Sequence, residues 1–416
     1  MPHYHIWTIG CQMNKAESER LSSLFAELGY QPTETAEEAS LIVLNSCVVR
    51  QGAENKVVNK LNALRHLKGT NPQLTLAVTG CLVNSDLSHL KALFPYVDYF
   101  FPPGGYPPWL ERAQPQLMLP RHPAPTTFVP IIQGCDNFCA YCIVPYRRGR
   151  ERSRPIAEIS GEVKELVSRG TREVTLLGQN VDSYGHDLPD KPDLADLLQE
   201  LNAIAGLARL RFLTNHPKDM SFRLIEAVAR LEKVCEQISL PVQSGSNDIL
   251  KAMNRGYTVE HYRRLVAEIR SKIPEIALST DIIVGFPGES EAQFGQTLSL
   301  LAEIGFDTVH VAVYSPRPGT AAARDFEDDI PATEKKRRLD QIEALQEKIA
   351  RQINARLLGQ TVEVLVEDRK KGKWQGRTRS GKLVFFSSNA DCRGRLVKIK
   401  IEKTSPWSLQ GKVKLK

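Results

Sequence analysis

The sequence contains no run of apolar residues long enough to cross a membrane. No stretch of its 416 residues approaches the ~20 apolar residues that a transmembrane helix needs. The segment 1–7 has neither the basic region nor the apolar region of a signal peptide, and it leads directly into a predicted strand. We therefore expect a cytoplasmic protein with no membrane association.

The cysteine content is too low for a fold held together by disulfides. The chain has 8 cysteines, and thiols stay reduced in the cytoplasm. These cysteines therefore indicate metal or redox chemistry. A hydrophobic fraction of 42% with 25% charged residues is typical of a globular protein and excludes a disordered chain.

The first part of the chain lacks net positive charge, which is concentrated at the end of the chain. The segment 356–416 holds 16 Lys and Arg against 5 Asp and Glu, a net +11, although the whole chain carries only +7. The first 355 residues are therefore slightly acidic, at −4. A polyanion of the size of an RNA is the simplest partner for the basic end.

The first part of the chain has the pattern of a parallel α/β sheet. Strand-like apolar runs at 4–9, 41–44 and 74–79 alternate with helical patterns at 16–28 and 48–67. A cysteine follows each of the three predicted strands: Cys11, Cys47 and Cys81. Because the carboxyl ends of parallel strands lie along one edge, we expect these cysteines to meet there.

A proline-rich stretch follows, and after it the alternation resumes. The segment 95–130 holds 10 of the 25 prolines, so it is predicted to be a linker without helix or central strand. Six strand–helix units then indicate an incomplete (β/α)6 barrel, because a full eightfold barrel needs ~250 residues. The predicted barrel strands are 128–133, 173–178, 209–213, 237–242, 277–284 and 308–314.

The end of the chain has the period of a small all-β barrel. A helix with one apolar face is predicted at 333–358, and short strands at 361–366, 382–386 and 395–401. The predicted fold is thus α/β, with a parallel sheet domain, a partial barrel and an all-β barrel. The corresponding domains are 1–115, 125–355 and 356–416.

The most specific motif is a triplet of cysteines directly after the first barrel strand. Cys135, Cys139 and Cys142 have the spacing C-x3-C-x2-C, so three thiolates can ligate three irons of a [4Fe–4S] cube and leave the fourth iron open. A structural zinc site is the alternative, but zinc requires four protein ligands in a closed shell. The spacing therefore favours the iron–sulfur cluster.

This motif resembles the radical S-adenosylmethionine superfamily, and its surroundings resemble the methylthiotransferases within it. The resemblance covers nearly the whole chain, including a basic tail similar to the RNA-binding TRAM domain. The matching stretches are 133–155 (QGCDNFCAYCIVPYRRGRERSRP), 177–185 (LGQNVDSYG), 240–246 (LPVQSGS), 281–289 (DIIVGFPGE), 314–320 (YSPRPGT), 9–14 (IGCQMN), 45–50 (NSCVVR) and 79–81 (TGC).

The resemblance implies two [4Fe–4S] clusters and S-adenosylmethionine. One cluster would lie on Cys135, Cys139 and Cys142 and bind S-adenosylmethionine, and an auxiliary cluster would lie on the three N-terminal cysteines. The implied reaction is methylthiolation of C2 of N6-dimethylallyl adenosine at position 37 of tRNA. An electron donor such as flavodoxin or ferredoxin is implied, and we expect a monomer.

Further residues receive weaker predictions. Those expected near the cofactor, at or close to barrel strand ends, are Tyr141, Gln179, Gln243, Ser244, Asp281 and Gly285. Arginines beside the cluster motif are expected to bind phosphates of the tRNA anticodon stem-loop, and three tail residues to bind RNA. These residues are Arg147, Arg148, Arg150, Arg152, Arg154, Trp374, Arg377 and Arg379.

Three departures from the family pattern affect the substrate pocket, and one of them is Leu82-Val83-Asn84, which follows Cys81 where the family often has an Ala-Gln pair. Asn215 precedes His216-Pro217 where the family usually has serine, and Asp182 replaces a usual asparagine. Methylthiolation of threonylcarbamoyl-adenosine in tRNA, or of a ribosomal protein aspartate, therefore stays open. A non-catalytic iron–sulfur protein that binds RNA is the alternative from another class.

Overall fold

The first domain is a parallel sheet with helices on both faces. The computed structural model describes residues 1–49, 51–83, 86–111 and 119–414. The strand order is β2-β1-β3-β4-β5, and every pairing is parallel. The elements are β1 His3–Thr8, α1 Gln12–Glu27, β2 Gln31–Pro32, β3 Leu41–Ser46, α2 Gln51–Thr70, β4 Thr75–Gly80, α3 Leu87–Leu93, β5 Tyr99–Phe100 and α4 Pro108–Glu111.

The predicted parallel sheet is confirmed, with two additional edge strands. The pattern missed β2 and β5 because two residues are too few to show an alternation. The middle strand β3 is buried at all six positions, as expected for a strand covered on both faces. The predicted boundary at residue 115 lies outside the described residues.

The proline-rich stretch was predicted to be a linker without helix or central strand, and the prediction of no helix is wrong. The stretch contains β5, the helical turn α4 and all of the first barrel strand, β6. Both strands are edge strands, where proline is tolerated because one side of the backbone needs no ladder partner. The stretch also packs against the sheet, since Trp109 stacks on Phe25 of α1 with ring centroids 6.3 Å apart.

The second domain is an open barrel of six parallel strands. The pairings run β6-β9-β10 and β11-β12-β13, and a parallel bridge between Leu210 and Val234 joins the two halves. Its elements are β6 Thr126–Pro130, β7 Ile132–Gln133, α5 Val144–Arg148, β8 Arg152–Ser153, α6 Ile156–Ser168, β9 Glu173–Leu177, a 3-10 turn Val181–Ser183, α7 Leu194–Asn202, β10 Arg209–Phe212, α8 Phe222–Arg230, β11 Gln237–Ser239, α9 Asn247–Ala252, α10 Val259–Lys272, β12 Ala277–Val284, α11 Glu291–Ile304, β13 Thr308–Val313, α12 Ala321–Asp325 and α13 Ala332–Ala355.

The third domain is a closed five-stranded barrel in the order β14-β15-β16-β18-β17. The sequence pattern missed β15 and β18, because Lys373–Arg377 and Leu409–Val413 each carry glycine and charge that interrupt the alternation. The strands are β14 Thr361–Lys370, β15 Lys373–Arg377, β16 Leu383–Ser387, β17 Leu396–Thr404 and β18 Leu409–Val413.

The outer domains lie at opposite ends of the open barrel. Met13 and Ala16 of α1 pack on Leu177, at the carboxyl end of β9. The small barrel instead packs where the strands begin, because Arg209 at the start of β10 donates to the carbonyl oxygen of Arg377 at 2.8 Å. No described helix is both long enough and apolar enough to cross a membrane.

Candidate active site

The three N-terminal cysteines come together at the carboxyl edge of the first sheet. Cys11, Cys47 and Cys81 follow β1, β3 and β4, and their thiols are close enough to influence one another electrostatically. Burial, together with the neighbouring thiols, raises the pKa of Cys47 to about 11. Cys11 is exposed while the other two are buried, so the group faces outward from the edge of the sheet.

A buried polar network holds these strand ends in register. The Cys11 thiol donates to Asn14 Oδ1 at 3.3 Å, and Asn14 Nδ2 donates to Asn45 Oδ1 at 2.7 Å. Ser46 accepts from the Cys81 backbone N–H through its carbonyl and from the Leu82 N–H through its hydroxyl. The sequence had marked the cysteines but not Asn14 or Asn45, which connect the first two cysteine positions.

Glycines precede cysteines in both groups, and in each group at least one of them is required by the backbone conformation. Gly80, before Cys81, has φ +87°, and a Cβ atom would overlap the carbonyl oxygen of Ser46. Gly134, before Cys135, has φ +84°, and a Cβ atom would overlap the Arg150 carbonyl. At both positions the chain turns in a left-handed conformation that other residues adopt at a cost.

The second group of cysteines lies at the carboxyl end of the open barrel. Cys135, Cys139 and Cys142 occupy the loop between β7 and α5, and their thiols interact electrostatically. Burial raises the pKa of Cys135 to about 11 and that of Cys142 to about 12. The loop is fixed by backbone hydrogen bonds, for example from the Ala140 N–H to the Met253 carbonyl at 2.9 Å.

The three thiols of each group form a donor set of the kind that holds an iron–sulfur cluster. Within the described residues, no three His, Cys, Asp or Glu side chains are placed to share one metal ion. A four-iron cube binds each thiolate at a different iron, so its ligands stand farther apart than those of a single ion. Three thiols with no fourth partner also leave one iron open, whereas structural zinc requires a closed shell.

A buried arginine that the sequence did not single out contacts the second group. Arg255 is 4% exposed, and its Nη1 lies 3.2 Å from Cys139 Sγ and 3.4 Å from the Tyr141 hydroxyl. Its Nη2 donates to the Pro241 carbonyl at 2.9 Å. Arg255 thereby joins the cysteine loop to the stretch 240–246, and nothing in its sequence spacing indicates this role.

Comparison with known proteins identifies the family. The chain matches the Radical SAM superfamily over residues 129–301, Uncharacterized protein family UPF0004 over 3–102 and the TRAM domain over 355–414. It is 60% identical over 99% of both chains to the tRNA-2-methylthio-N(6)-dimethylallyladenosine synthase of Dehalococcoides mccartyi. The chain belongs to the radical S-adenosylmethionine methylthiotransferase family. The enzyme of the same name from Chloroflexus aurantiacus is 51% identical to this chain. The alignment covers 98% of this chain and 91% of that enzyme.

A solved structure shares the fold. The radical S-adenosylmethionine methyltransferase TsrM from Kitasatospora setae aligns with a TM-score of 0.55, over 78% of this chain and 77% of its own. Its identity is 13%, so the likeness concerns the fold alone. Membership of the radical S-adenosylmethionine superfamily implies S-adenosylmethionine and a [4Fe–4S] cluster as cofactors.

Four of the six predicted cofactor residues lie at the mouth of this methylthiotransferase barrel. Tyr141 is beside Arg255, and Gln179 Oε1 accepts from the Gly134 N–H at 2.6 Å. Gln243 has φ +71°, and its N–H donates to the Asp281 carbonyl at 2.9 Å. The structure thus brings the ends of β11 and β12 together beside the cysteine loop.

The other two predicted cofactor residues face protein. The Ser244 hydroxyl is fully buried, 3.5 Å from Thr297 Oγ1 on α11. Gly285 has φ +70°, and a Cβ atom there would overlap the side chain of Lys335. The packing of Lys335 therefore accounts for this glycine, and the Ser244 hydroxyl is turned to protein, so contacts of these two residues with the cofactor stay a prediction.

The arginine run beside the cluster motif divides between solvent and the protein interior. Arg150 is 71% exposed and Arg152 is exposed, as phosphate binding requires. Arg154 pairs with Glu162 at 2.7 Å, and Arg147 is half-buried. Arg148 is buried with Glu17 at 2.6 Å, so the phosphate contact predicted for it does not fit the structure.

Two of the three tail residues predicted to bind RNA have structural partners instead. Trp374 is 7% exposed in the core of the small barrel, and its indole N–H donates to the Ser388 carbonyl. Arg379 pairs with Glu236 of the open barrel at 2.7 Å. Arg377 is half-exposed, so it alone of the three is available to RNA.

Proposed function

We propose that this chain methylthiolates C2 of N6-dimethylallyl adenosine at position 37 of tRNA. The observation that carries the proposal is the presence of two three-cysteine groups, one at the carboxyl edge of each parallel sheet. The curated relatives that share 45–60% identity over at least 98% of this chain have the name of this activity. The departures at Asp182 and Asn215 contact each other, so they form one paired change.

The two groups have different roles in this proposal. Cys135, Cys139 and Cys142 hold the cluster that binds S-adenosylmethionine, and Cys11, Cys47 and Cys81 hold a second [4Fe–4S] cluster. When bound, the first cluster with S-adenosylmethionine would supply a carbon-centred radical, and the second cluster would supply a methylated sulfur. Replacement of an aromatic C–H bond requires both. Arg255 holds the cysteine loop against the strand ends, and Tyr141 and Gln179 border the space for S-adenosylmethionine.

The partial burial of both cysteine groups is consistent with one-electron chemistry. Water is excluded from Cys47 and Cys81 in the first group and from Cys139 in the second. Exclusion of water protects reactive intermediates from side reactions. An external donor such as flavodoxin or ferredoxin would supply the electron at the exposed side of the cysteine loop.

The exposed arginines and the small barrel are proposed to hold the anticodon stem-loop of tRNA. Arg150 and Arg152 lie next to the cysteine loop, so they are placed to bind phosphates near the reacting adenosine. The small barrel lies at the other end, so tRNA contacts must extend along the barrel. We propose domains 1–115, 125–355 and 356–416 acting as a monomer in the cytoplasm.

Mass spectrometry of tRNA nucleosides from a deletion strain tests this function. We expect loss of the methylthio group from dimethylallyladenosine, restored by the native gene and not by a gene with Cys81→Ala. The Cys235→Ala gene is the matched control. Like Cys81, Cys235 is a buried cysteine, but it lies just before β11 and belongs to neither group. Loss confined to methylthio-threonylcarbamoyladenosine would contradict the proposal.

A further inference from the structure

Arg148 connects the cysteine loop of the open barrel to the cysteine group of the first domain. It is the last residue of α5, the helix that follows Cys142. Its side chain is 2% exposed, and its two terminal nitrogens donate to both carboxylate oxygens of Glu17 on α1, at 2.6 and 3.3 Å. The sequence places this residue in an arginine run, but the structure places it between two domains.

The Arg148 guanidinium also lies against the N-terminal cysteines. Burial raises the pKa of Cys81, whereas the charge of Arg148 and a hydrogen bond from it act in the opposite direction. The same guanidinium interacts electrostatically with Cys47 and Cys11. All three thiols of the group therefore share one cationic neighbour.

Domain docking alone does not explain this contact. Arg317 pairs with Glu54 of α2 at 2.6 Å and is 4% exposed, so it joins the same two domains with equal burial. Arg20 pairs with Glu162 of α6 at 2.9 Å, also across the junction. Arg148 differs from both in lying against the thiols of the group, where its charge opposes the burial that raises the pKa of Cys47 and Cys81; the half-buried Arg147 next to it also lies near Cys81.

A second connection joins the two groups through the segment between the domains. Thr79, two residues before Cys81, donates to the Pro102 carbonyl at 3.2 Å. Gln133, two residues before Cys135, donates to the Pro103 carbonyl at 3.2 Å. The backbone at 102–103 therefore helps to fix the relative position of the two cysteine groups. The pairing of Arg148 with Glu17 is a separate contact with the same effect.

We propose that Arg148 is a positioning residue for the auxiliary cluster. Its guanidinium lies beside the thiol of Cys81 and offsets negative charge of the thiolate ligands. Because Arg148 belongs to the helix that follows the cysteine loop, it also fixes the auxiliary cluster relative to that loop. Glu17 orients the guanidinium by bidentate pairing, which a lysine could not reproduce. This inference rests on the proposed function, because it requires a cluster on the N-terminal cysteines.

The test uses the full chain with Cys135, Cys139 and Cys142 changed to alanine, so that only the auxiliary cluster forms. Iron and sulfide content, the midpoint potential from electron paramagnetic resonance, and the rate of iron loss to a chelator are measured. We expect Arg148→Gln to shift the potential to more negative values, because a cation next to the cluster favours the reduced form. We also expect iron loss to be faster by at least tenfold.

Two further variants separate charge from geometry and from docking. Arg148→Lys is expected to retain most of the potential and to lose iron faster, because it keeps the charge without the bidentate contact. Arg317→Gln, the matched control, is expected to change neither quantity. If Arg148→Gln does not fold, the Arg148→Lys and Glu17→Gln proteins still decide the matter through iron loss.

The outcomes distinguish this inference from the function on which it rests. If the parent protein binds no cluster, the two-cluster function is wrong. If the parent binds a cluster and the Arg148 variants keep its potential and iron, only the positioning role is wrong. Equal effects of Arg317→Gln and Arg148→Gln would show that Arg148 acts through domain docking alone.

Discussion

The open barrel is joined to another domain at each end, and a buried arginine lies at both junctions. At the carboxyl end, Arg148 is paired with Glu17 and lies against cysteine thiols. At the amino end, Arg211 is paired with Glu173 at 2.9 Å and donates to the Thr378 carbonyl at 2.7 Å. Both side chains are less than 10% exposed.

The partners of the two arginines, rather than their burial, distinguish their roles. The hydrogen-bond partners of Arg211 are carboxylate, amide and carbonyl oxygens, and the thiol that interacts with its charge, Cys235, belongs to neither cysteine group. Arg148 has such a partner in Glu17, but it also faces thiols that can bind an electron-accepting group. The amino end is therefore a structural junction, and the carboxyl end combines docking with chemistry.

Among the tests of this comparison, we expect the replacement of single cysteines to have the largest effect on product formation. We expect Cys135→Ala to abolish formation of 5′-deoxyadenosine from S-adenosylmethionine, because the cofactor loses the cluster that binds it. Cys81→Ala should keep that formation and abolish methylthiolated tRNA. Both products can be measured in one anaerobic reaction by liquid chromatography with mass spectrometry. Loss of 5′-deoxyadenosine in both variants would contradict the division into two sites.

Removal of Arg211 tests the structural junction. Arg211→Ala leaves Glu173 buried without its closest charge partner and deprives two carbonyls of donors, so we expect a loss of about 3 kcal/mol in stability. Differential scanning calorimetry should show a lower melting temperature, and iron content should be unchanged. Arg393→Ala replaces an exposed arginine of the small barrel; this control should change neither value.

Deletion of the small barrel would not be a clean test of RNA binding. The segment 361–413 covers Arg209, Arg211 and Glu173, which are all nearly fully buried. Its removal would expose an unsatisfied charged network, so a loss of activity could reflect instability. Point substitutions on its exposed face avoid this problem.

The sequence predicted the architecture because local patterns determine it. The strand β12 at Ala277–Val284 was predicted with its observed limits. The cysteine positions at strand ends followed from the geometry of parallel sheets. Short edge strands such as β5 were missed, because two residues carry no periodicity.

The sequence could not assign the arginines, because their roles depend on contacts between distant segments. Arg148 and Glu17 are 131 residues apart, and Arg379 and Glu236 are 143 apart. A run of arginines is usually solvated, and only the packing of α1 on the barrel shows that one member is buried. Arg255, 116 residues from Cys139, escaped prediction for the same reason.

A buried acid at the carboxyl end gives a pH-dependent test. Asp182 accepts hydrogen bonds from Asn215 Nδ2 and the His216 N–H, and burial raises its pKa to about 7. Between its unfolded pKa and about pH 7, the folded state holds a proton that the unfolded state has released. Stability therefore falls as the pH rises through this range, by at most about 1.4 kcal/mol per pH unit, and is constant above it.

The Asp182→Asn variant isolates this contribution. We expect the unfolding free energy of the native protein minus that of the variant to decrease by up to about 2 kcal/mol from about pH 5.5 to about pH 7. Denaturant titrations at several pH values measure this difference. The substitution also removes a hydrogen-bond acceptor, but that loss is the same at every pH and does not alter the pH dependence. A difference that is independent of pH would show that Asp182 is ionised throughout this range. Asn215→Ser in the same background tests the pairing of Asn215 with residue 182.

We expect the smallest effect on the exposed face of the small barrel, the domain that packs at the amino end of the open barrel. Lys398 and Lys400 are exposed on β17, on the side opposite to the buried Ile399 and Ile401. Neither contributes to the junction with the open barrel, so their replacement by alanine should leave the melting temperature unchanged. Each substitution should weaken tRNA binding modestly and reduce the salt dependence of the affinity by about one unit of slope, because one phosphate contact is lost.

Binding of unmodified tRNA at several salt concentrations, measured by fluorescence anisotropy, decides this point. Lys348→Ala on α13 is the matched control, since this lysine is equally exposed and lies outside the small barrel. An unchanged slope in the Lys398 and Lys400 variants would remove β17 from the RNA surface. A slope that changes equally in all three variants would show that tRNA is held by charge over the whole protein, which would erase the distinction between the two ends.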